Sequence, residues 1–191
     1  MLLNFKHYIN QENILPEKEV EIISNEFEVK EIKKGSLLLQ AGEVCQNTFF
    51  IEKGLLRAYT VDSNGKEHII QFAPESWMVT DRSSMYFKEP SELYIDAIED
   101  SQIVILPIDF VCTISSKNPS FNVHNEKALH KHIRYQQKRI NLLLSATAEE
   151  RYVDFITQYP DLTLRVPQWM IASYLGITPE SLSRVRKKLA Y

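Results

Sequence analysis

The stretch LLRAYTVDSNGKEHIIQF, residues 55–72, contains two β-prone runs joined by Asn64-Gly65. Branched and aromatic residues dominate both runs, as is typical of strands with a half-buried face. Asn-Gly between two such runs is a strong hairpin signal, because a type I′ turn needs positive φ at both central residues. The stretch therefore predicts a β-hairpin with a type I′ turn.

Similar short runs continue on both sides of this hairpin, from about Glu28 to Pro107. They are VKEI, SLLLQ, NTFFIE, WMVT, ELYIDAI and QIVIL, separated mostly by glycine- or proline-containing breaks. Many short strands with this spacing predict a β-sandwich or a rolled barrel. The spacing leaves these two arrangements open.

Helical patterns flank the β-rich region. Apolar residues at helical spacing predict a first helix over residues 2–9, and Pro16 followed by EKEVEIISNEF predicts a second. Beyond Pro107, a short helix is expected over residues 108–114 and a long one after Pro119. Thr147 and Glu150 then have capping-box spacing, which predicts another helix that ends near Pro160.

The long helix carries a stripe with steps of four, three, four and three residues, which is the a/d spacing of a coiled-coil seam. Its members are Leu129, Ile133, Gln136, Ile140 and Leu143. Gln136 favours a dimer interface, since buried polar residues on a seam commonly set the register. The alternative is that the stripe packs on the β-domain of its own chain.

The segment VPQWMIASYLGITPESLSRVRKKLA, residues 166–190, has the pattern of a helix-turn-helix. A first helix is predicted from Gln168 to Leu175, and Gly176 can adopt the positive φ that ends it. Thr178 can cap a second helix whose first position is Pro179, where proline costs no hydrogen bond. Leu175, Ile177, Leu182 and Val185 supply the apolar faces between the two helices.

The outward face of the second helix suits the major groove of duplex DNA. Arginine donates bidentately to guanine and glutamate accepts from cytosine, so Arg184 and Glu180, four residues apart, are the candidates for reading bases. Candidates for the DNA backbone are Ser181, Ser183, Arg186, Lys187 and Lys188. The alternative is an ordinary helical hairpin whose charges only keep its surface soluble.

Composition alone would not nominate nucleic acid, because the 191-residue chain has a formal net charge of -3. After Thr178, however, four basic residues face one acid, which suits a basic DNA-contacting segment on an acidic body. The length allows two domains. No long apolar run or cleavage signal is present in the sequence, and we expect a cytoplasmic protein without a membrane partner.

The chain resembles the Crp/Fnr family of bacterial transcription regulators over nearly its whole length. The resemblance rests on KKGSLLLQAGEVCQNTFFIEKGLLRAYTVDSNGKE (residues 33–67), the long seam helix and IASYLGITPESLSRVRKKL (residues 171–189). It implies an α+β fold with an N-terminal antiparallel β-roll (a double-stranded β-helix) flanked by helices, a long dimerisation helix and a C-terminal all-α helix-turn-helix. The implied domains are a cyclic-nucleotide-binding-like sensor at 1–117, the dimerisation helix at 118–144 and a DNA-binding domain at 145–191.

The resemblance also implies a homodimer that binds double-stranded DNA and acts with RNA polymerase. Glu180 and Arg184 match the base-reading positions of the family, whereas Pro179 stands where relatives have an arginine. Because the sequence given stops at Tyr191, the trailing wing of the family is expected to be absent, and specificity is expected to depend on the dimer.

The sensor departs from relatives that bind cyclic AMP, which hold the phosphate with Arg-x-Gly-Glu followed by Arg-x-Ala. The corresponding stretch, APESWMVTDRSSMYFKEPSELYIDAIED (residues 73–100), lacks Gly-Glu and has Ser91 near the arginine position. Cyclic AMP is therefore not an expected effector. Arg82 and Ser91 mark a candidate pocket for a different anion, although Arg82 can instead pair with Asp81.

No cofactor, metal site or catalytic residue is predicted. Cys45 and Cys112 do not supply the N-terminal cysteine cluster of iron-sulfur relatives. A cupin-like enzyme needs clustered metal ligands, and only His68 lies in a predicted strand. The remaining rival is a ligand-sensing module that signals to a protein partner through the long helix, without DNA.

Overall fold

A computed structural model describes residues 2–11 and 14–189. Its contacts divide the chain into two compact units. The first consists of Met1–Thr60 and Ile70–Lys127, and the second of Val61–Ile69 and Ala128–Tyr191. The final residues of the expected DNA-binding segment, 190 and 191, lie outside the described residues.

The β-roll contains two four-stranded sheets, with strand orders β1-β8-β3-β6 and β2-β7-β4-β5. The strands are β1 (Glu28–Ile32), β2 (Leu37–Leu39), β3 (Asn47–Lys53), β4 (Leu56–Val61), β5 (Glu67–Ala73), β6 (Met78–Val79), β7 (Tyr94–Ala97) and β8 (Ser101–Pro107). Each overlaps one of the β-prone runs, so the predicted strands and the fold class are confirmed.

Alternation along these strands builds the core between the sheets. In β4, Leu56 and Ala58 join the buried cluster that also contains Ile51 and Ile95. A second cluster forms where the outer face of β3, at Phe50, meets the N-terminal helix at Phe5, with ring centroids 5.2 Å apart. The period-2 pattern thus buries both faces of the β3–β8 sheet.

Arg57 alternates with Leu56 and Ala58 along β4, and its side chain forms an ion pair with Asp96. Arg57 donates from Nε to Asp96 Oδ1 at 2.7 Å and from Nη2 to Oδ2 at 2.8 Å, across the register Arg57↔Asp96 of β4 and β7. The guanidinium also lies 4.1 Å from the centroid of the Tyr59 ring. Both charged side chains are largely buried, and the pair therefore adds to the pairing of β4 with β7.

The first unit also contains α1 (Leu3–Ile9), α2 (Glu17–Ser24), α3 (Arg82–Phe87) and α4 (Phe110–Lys117). The sequence patterns predict three of them and miss α3, which is only six residues long. Asp81 caps α3 by accepting a hydrogen bond from Ser84 N, and Lys88, at φ 60°, ends it.

The helices that follow are α5 (Ser120–Ser145), α6 (Ala148–Gln158), α7 (Leu162–Arg165), α8 (Gln168–Leu175) and α9 (Pro179–Leu189). The capping box at Thr147 and Glu150 is confirmed, with both reciprocal hydrogen bonds present. The four-residue α7 is the one element here that the sequence analysis did not predict.

The hairpin between β4 and β5 forms, but the predicted type I′ turn is wrong. Gly65 has φ 79°, whereas Asn64 is not among the residues with positive φ. The Asp62 carboxylate accepts hydrogen bonds from Asn64 N at 2.9 Å and from Lys66 N at 3.1 Å. This side-chain turn satisfies the backbone locally, so only Gly65 must adopt the left-handed conformation.

Across residues 2–11 and 14–189, no helix is both long enough and apolar enough to cross a membrane.

Candidate nucleic-acid interface

Helices α8 and α9 are joined by a tight turn centred on Gly176, at φ 67°. Gly176 N donates to Ser173 O and Ile177 N donates to Ala172 O, each at 3.0 Å, so the last carbonyls of α8 are satisfied within the turn. A Cβ at position 176 would lie 3.3 Å from Leu143 Cδ2 and 3.4 Å from Arg151 Nη1. The positive φ of Gly176 therefore favours glycine, and a Cβ there would be in tight contact with two side-chain ends.

The predicted cap of α9 is confirmed. Thr178 Oγ1 accepts a hydrogen bond from Ser181 N at 3.2 Å, and α9 begins at Pro179 as the sequence predicts. Leu182 and Val185 are buried, and Ala172 of α8 is 1% exposed. These small and apolar residues form the inner faces of the two helices.

The outer face of α9 holds the candidate DNA-contacting residues. Glu180, Ser183, Arg184, Lys187 and Lys188 are exposed, and Ser181 and Arg186 are half-buried. Glu180 and Arg184 are one turn apart and lie on the same exposed side of the helix.

Hydrogen bonds from neighbouring groups restrict the side chains of Arg184 and Glu180, the two candidates for base contacts. Arg184 Nη2 donates to Ser181 Oγ at 3.2 Å. The Glu180 carboxylate accepts hydrogen bonds from its own amide and from the Thr178 hydroxyl, and these bonds, together with the charge of Arg184, lower the pKa of Glu180. Glu180 is therefore a pure acceptor at neutral pH, as cytosine recognition requires.

Lys188 differs from its neighbours because its ammonium group already has a carboxylate partner. It lies 2.7 and 2.9 Å from the two carboxylate oxygens of Glu149 in α6. Both side chains remain substantially exposed, so the pair is weak and can exchange for a phosphate.

A buried polar cluster, which the sequence analysis missed, holds α5, α6 and α8 together. The hydroxyl of Tyr135 is hydrogen-bonded to those of Tyr159, at 3.0 Å, and Tyr174. Burial raises the pKa of Tyr159 and of Tyr174, so both stay neutral. Arg151 Nη1 donates to Leu175 O at 2.7 Å, which attaches the end of α8 to α6.

Two faces of α5 have different surroundings within the second unit. Tyr135, Arg139 and Leu142 line a small cavity that also includes Phe155 of α6 and Tyr174 of α8. On the predicted seam, Ile133, Ile140 and Leu143 are 44%, 55% and 39% exposed, while Leu129 and Gln136 are half-buried. Leu143 also lines the cavity, so the exposed apolar part of the seam in the single chain consists mainly of Ile133 and Ile140.

The sensor region that departs from cyclic-AMP-binding relatives forms a cavity of about 400 Å³. Its lining comprises Asp81, Ser83, Ser84, Glu89, Pro90, Glu92 and Leu93. Arg82 is exposed and is not among these lining residues. Ser91 is buried, and its hydroxyl donates to Asp81 Oδ2 at 2.7 Å.

The alternative ion pair between Asp81 and Arg82 is wrong. The Asp81 carboxylate accepts from Ser84 N and from the Ser91 hydroxyl instead, because it caps α3. Three carboxylates and no basic side chain line the cavity, which makes it unfavourable for a phosphate.

Among the described residues, no group of three or more histidine, cysteine, aspartate or glutamate side chains is arranged to hold a metal ion.

Comparisons with known proteins find similarity in sequence and in fold. Residues 29–117 match the model of the cyclic nucleotide-binding domain. The chain is 28% identical over 187 residues to the anaerobic regulatory protein of Pasteurella multocida, covering 92% of this chain and 68% of that protein. It is 27% identical over 183 residues to the fumarate and nitrate reduction regulatory protein of Escherichia coli, covering 90% and 72%.

The fold is shared with FixK2 from Bradyrhizobium japonicum, at a TM-score of 0.71 and 19% identity, over 86% of this chain and 84% of that one. It is also shared with a putative transcriptional regulator of the Crp/Fnr family from Eubacterium rectale, at a TM-score of 0.66 and 18% identity, over 96% and 88%.

Proposed function

We propose, from the premise that the chain is a homologue of Crp/Fnr-type regulators with a cyclic nucleotide-binding domain, that it is a dimeric, DNA-binding transcription regulator without catalytic activity. The observation that carries the proposal is the α8–Gly176–α9 motif, which buries its apolar residues and exposes Glu180 and Arg184 on one side. Such a regulator acts in the cytoplasm, and RNA polymerase is its proposed protein partner.

Base reading is assigned to two residues. Arg184 can donate two parallel hydrogen bonds to guanine, and ionised Glu180 can accept one from cytosine. Ser181, Ser183, Arg186, Lys187 and Lys188 surround this pair on α9 and are assigned to phosphate contacts.

Dimerisation is assigned to the seam of α5, with a second copy of the chain as the occupant. Ile133 and Ile140 are separated by one heptad and are both exposed, which is the spacing and exposure that a coiled-coil partner requires. Two copies would place their α9 helices in successive major grooves, about 34 Å apart or a multiple of that distance. The operator is therefore expected to be an inverted repeat.

Cyclic AMP is not the proposed effector. The cavity at α3 presents the carboxylates of Asp81, Glu89 and Glu92, and the Ser91 hydroxyl donates to Asp81 instead of to a ligand phosphate. An anionic nucleotide would meet like charge there without a compensating basic group.

The salt dependence of duplex binding tests the function. Affinity for a random duplex, measured by fluorescence anisotropy, should fall steeply and linearly on a log–log plot between about 50 and 200 mM salt, because lysine and arginine contacts release counterions. Selection from random duplexes should then yield an inverted repeat. If the full-length protein does not bind duplex even at low salt, the DNA-binding function is wrong and a protein-signalling module is favoured.

A further inference from the structure

The tip of the β4–β5 hairpin, residues 61–69, packs in the second unit together with the helix-turn-helix. β5 is the last strand in its sheet, so one of its edges has no strand partner among the described strands. Such an edge presents backbone N–H and C=O groups that need partners. Helices α8 and α5 provide partners for three of these groups.

A single hydroxyl bonds two of these edge groups. Ser173 Oγ accepts a hydrogen bond from Ile69 N at 3.0 Å and donates one to Glu67 O at 3.1 Å. Glu67 and Ile69 are two residues apart in the strand, and their groups therefore point to the same edge. The serine hydroxyl thus occupies the position that a neighbouring strand would take.

A guanidinium group strengthens the same contact. Arg139 Nη2 of α5 donates to Ile69 O at 3.1 Å and to Tyr174 O at 3.2 Å, and its guanidinium carbon lies 4.1 Å from the centroid of the Tyr174 ring. One planar side chain therefore joins α5, the hairpin tip and α8. Arg139 and Ser173 both bond to Ile69, so the contacts of α5, α8 and the hairpin tip form one connected hydrogen-bond network.

We propose that the hairpin tip is a working part of the DNA-binding unit and that Ser173 and Arg139 are positioning residues, which fix α8 and, through the Gly176 turn, the recognition helix α9. The proposal rests on the DNA-binding function proposed above. A recognition helix that is already ordered pays less conformational entropy on binding, and base contacts depend on its placement more than phosphate contacts do.

The test compares Ser173→Ala with Ser173→Thr, which retains a hydroxyl, and with the control Thr157→Ala. The Thr157 hydroxyl bonds to Val153 O inside its own helix and is exposed. Hydrogen exchange at the Ile69 amide reports the contact directly, because that N–H is bonded to the replaced hydroxyl. Far-UV circular dichroism checks that each variant is folded.

For Ser173→Ala we expect faster exchange at Ile69, an affinity for the selected operator lower by about tenfold, and an affinity for a random duplex changed by less than about twofold. Ser173→Thr and Thr157→Ala should stay close to the wild type in all three measurements. Arg139→Lys keeps the charge but loses the planar guanidinium, and it should also lower the affinity for the selected operator. This variant tests the same contact if Ser173→Ala does not fold.

Unchanged exchange at Ile69, or equal losses on operator and random duplex, would overturn the positioning role. Tighter operator binding by Ser173→Ala would overturn it too, since the contact would then restrain the helix. A wild-type protein that binds no duplex refutes the DNA-binding function instead, and the exchange measurement still reports on the contact by itself.

Discussion

Arg184 and Lys187 both lie on the exposed side of α9, but they are expected to recognise different parts of DNA. Arg184→Ala should relax the preference at one base pair in each half-site and cost about 1–3 kcal/mol on the operator. Lys187→Ala should weaken all sequences alike and reduce the salt slope by about 1. Binding curves on operator and random duplex separate the two. Equal losses on both duplexes for Arg184→Ala would remove it from base reading.

The buried pair of Arg57 and Asp96 should matter for stability more than any surface pair. Asp96→Asn leaves the buried guanidinium without its counter-charge, which typically costs about 3–5 kcal/mol. The matched control is Lys33→Ala, because the pair of Lys33 with Asp100 is largely exposed and should contribute little to the free energy of unfolding. Urea denaturation of both variants gives the comparison, and similar midpoints would contradict it.

The sequence predicts the role of a residue when that role depends only on nearby positions in the chain. Spacing along one helix predicts the Thr178 cap, which the structure confirms, and the exposed positions of Glu180 and Arg184, whose base-reading role stays a prediction. The hydroxyl cluster of Tyr135, Tyr159 and Tyr174 depends on three helices meeting, and no pattern along any one of them signals it. The role of Ser91 also depends on a residue ten positions away.

Among the elements, the α8–α9 turn should tolerate little change. Gly176→Ala places a Cβ on a left-handed residue, which costs about 1–2 kcal/mol, and brings it close to Leu143 and Arg151. Gly176→Asn is the informative control, because asparagine adopts this conformation more readily. Thermal unfolding should rank wild type above Asn and Asn above Ala if the backbone dominates. The reverse order for the two variants would show that side-chain crowding dominates.

The capping box of α6 gives a pH-dependent prediction. Hydrogen bonds from the Thr147 amide and hydroxyl lower the pKa of Glu150, so their stabilising effect is present at neutral pH and lost as the pH falls through that lowered pKa. Thr147→Ala should cost about 1 kcal/mol at pH 7, measured by urea denaturation. The difference from wild type should narrow in acid. A constant difference would mean that the Glu150 carboxylate does not contribute.

Element prediction succeeded where a run was long or strongly patterned. The eight β-prone runs became strands because branched or aromatic residues within most of them agree with the glycine and proline breaks around them. α3 and α7 were missed because six and four residues are too short to show helical periodicity. The type I′ turn was wrong because the Asp62 carboxylate bonds to the turn amides, an interaction that the Asn-Gly signal does not include.

For the whole molecule, the exposed seam of α5 should decide the oligomeric state. Ile133→Asp combined with Ile140→Asp should give monomers with weak DNA affinity, because two charges would be buried in the interface. Val123→Asp is the matched control, since Val123 is exposed on the same helix but off the seam. Light scattering coupled to size exclusion measures the mass. A dimer that persists in the double variant would refute the seam.

Because residues 61–69 belong to the second unit, that unit is not one continuous segment of the chain that can be exchanged between proteins. A fragment that starts at Ala128 would contain every helix of the DNA-binding motif and still lack the strand edge to which Ser173 bonds. Exchange of such fragments between homologous regulators would pair a foreign hairpin with a native α8. The reading specificity of a chimaera is therefore expected to depend on where it takes its hairpin from as well as on the source of its recognition helix.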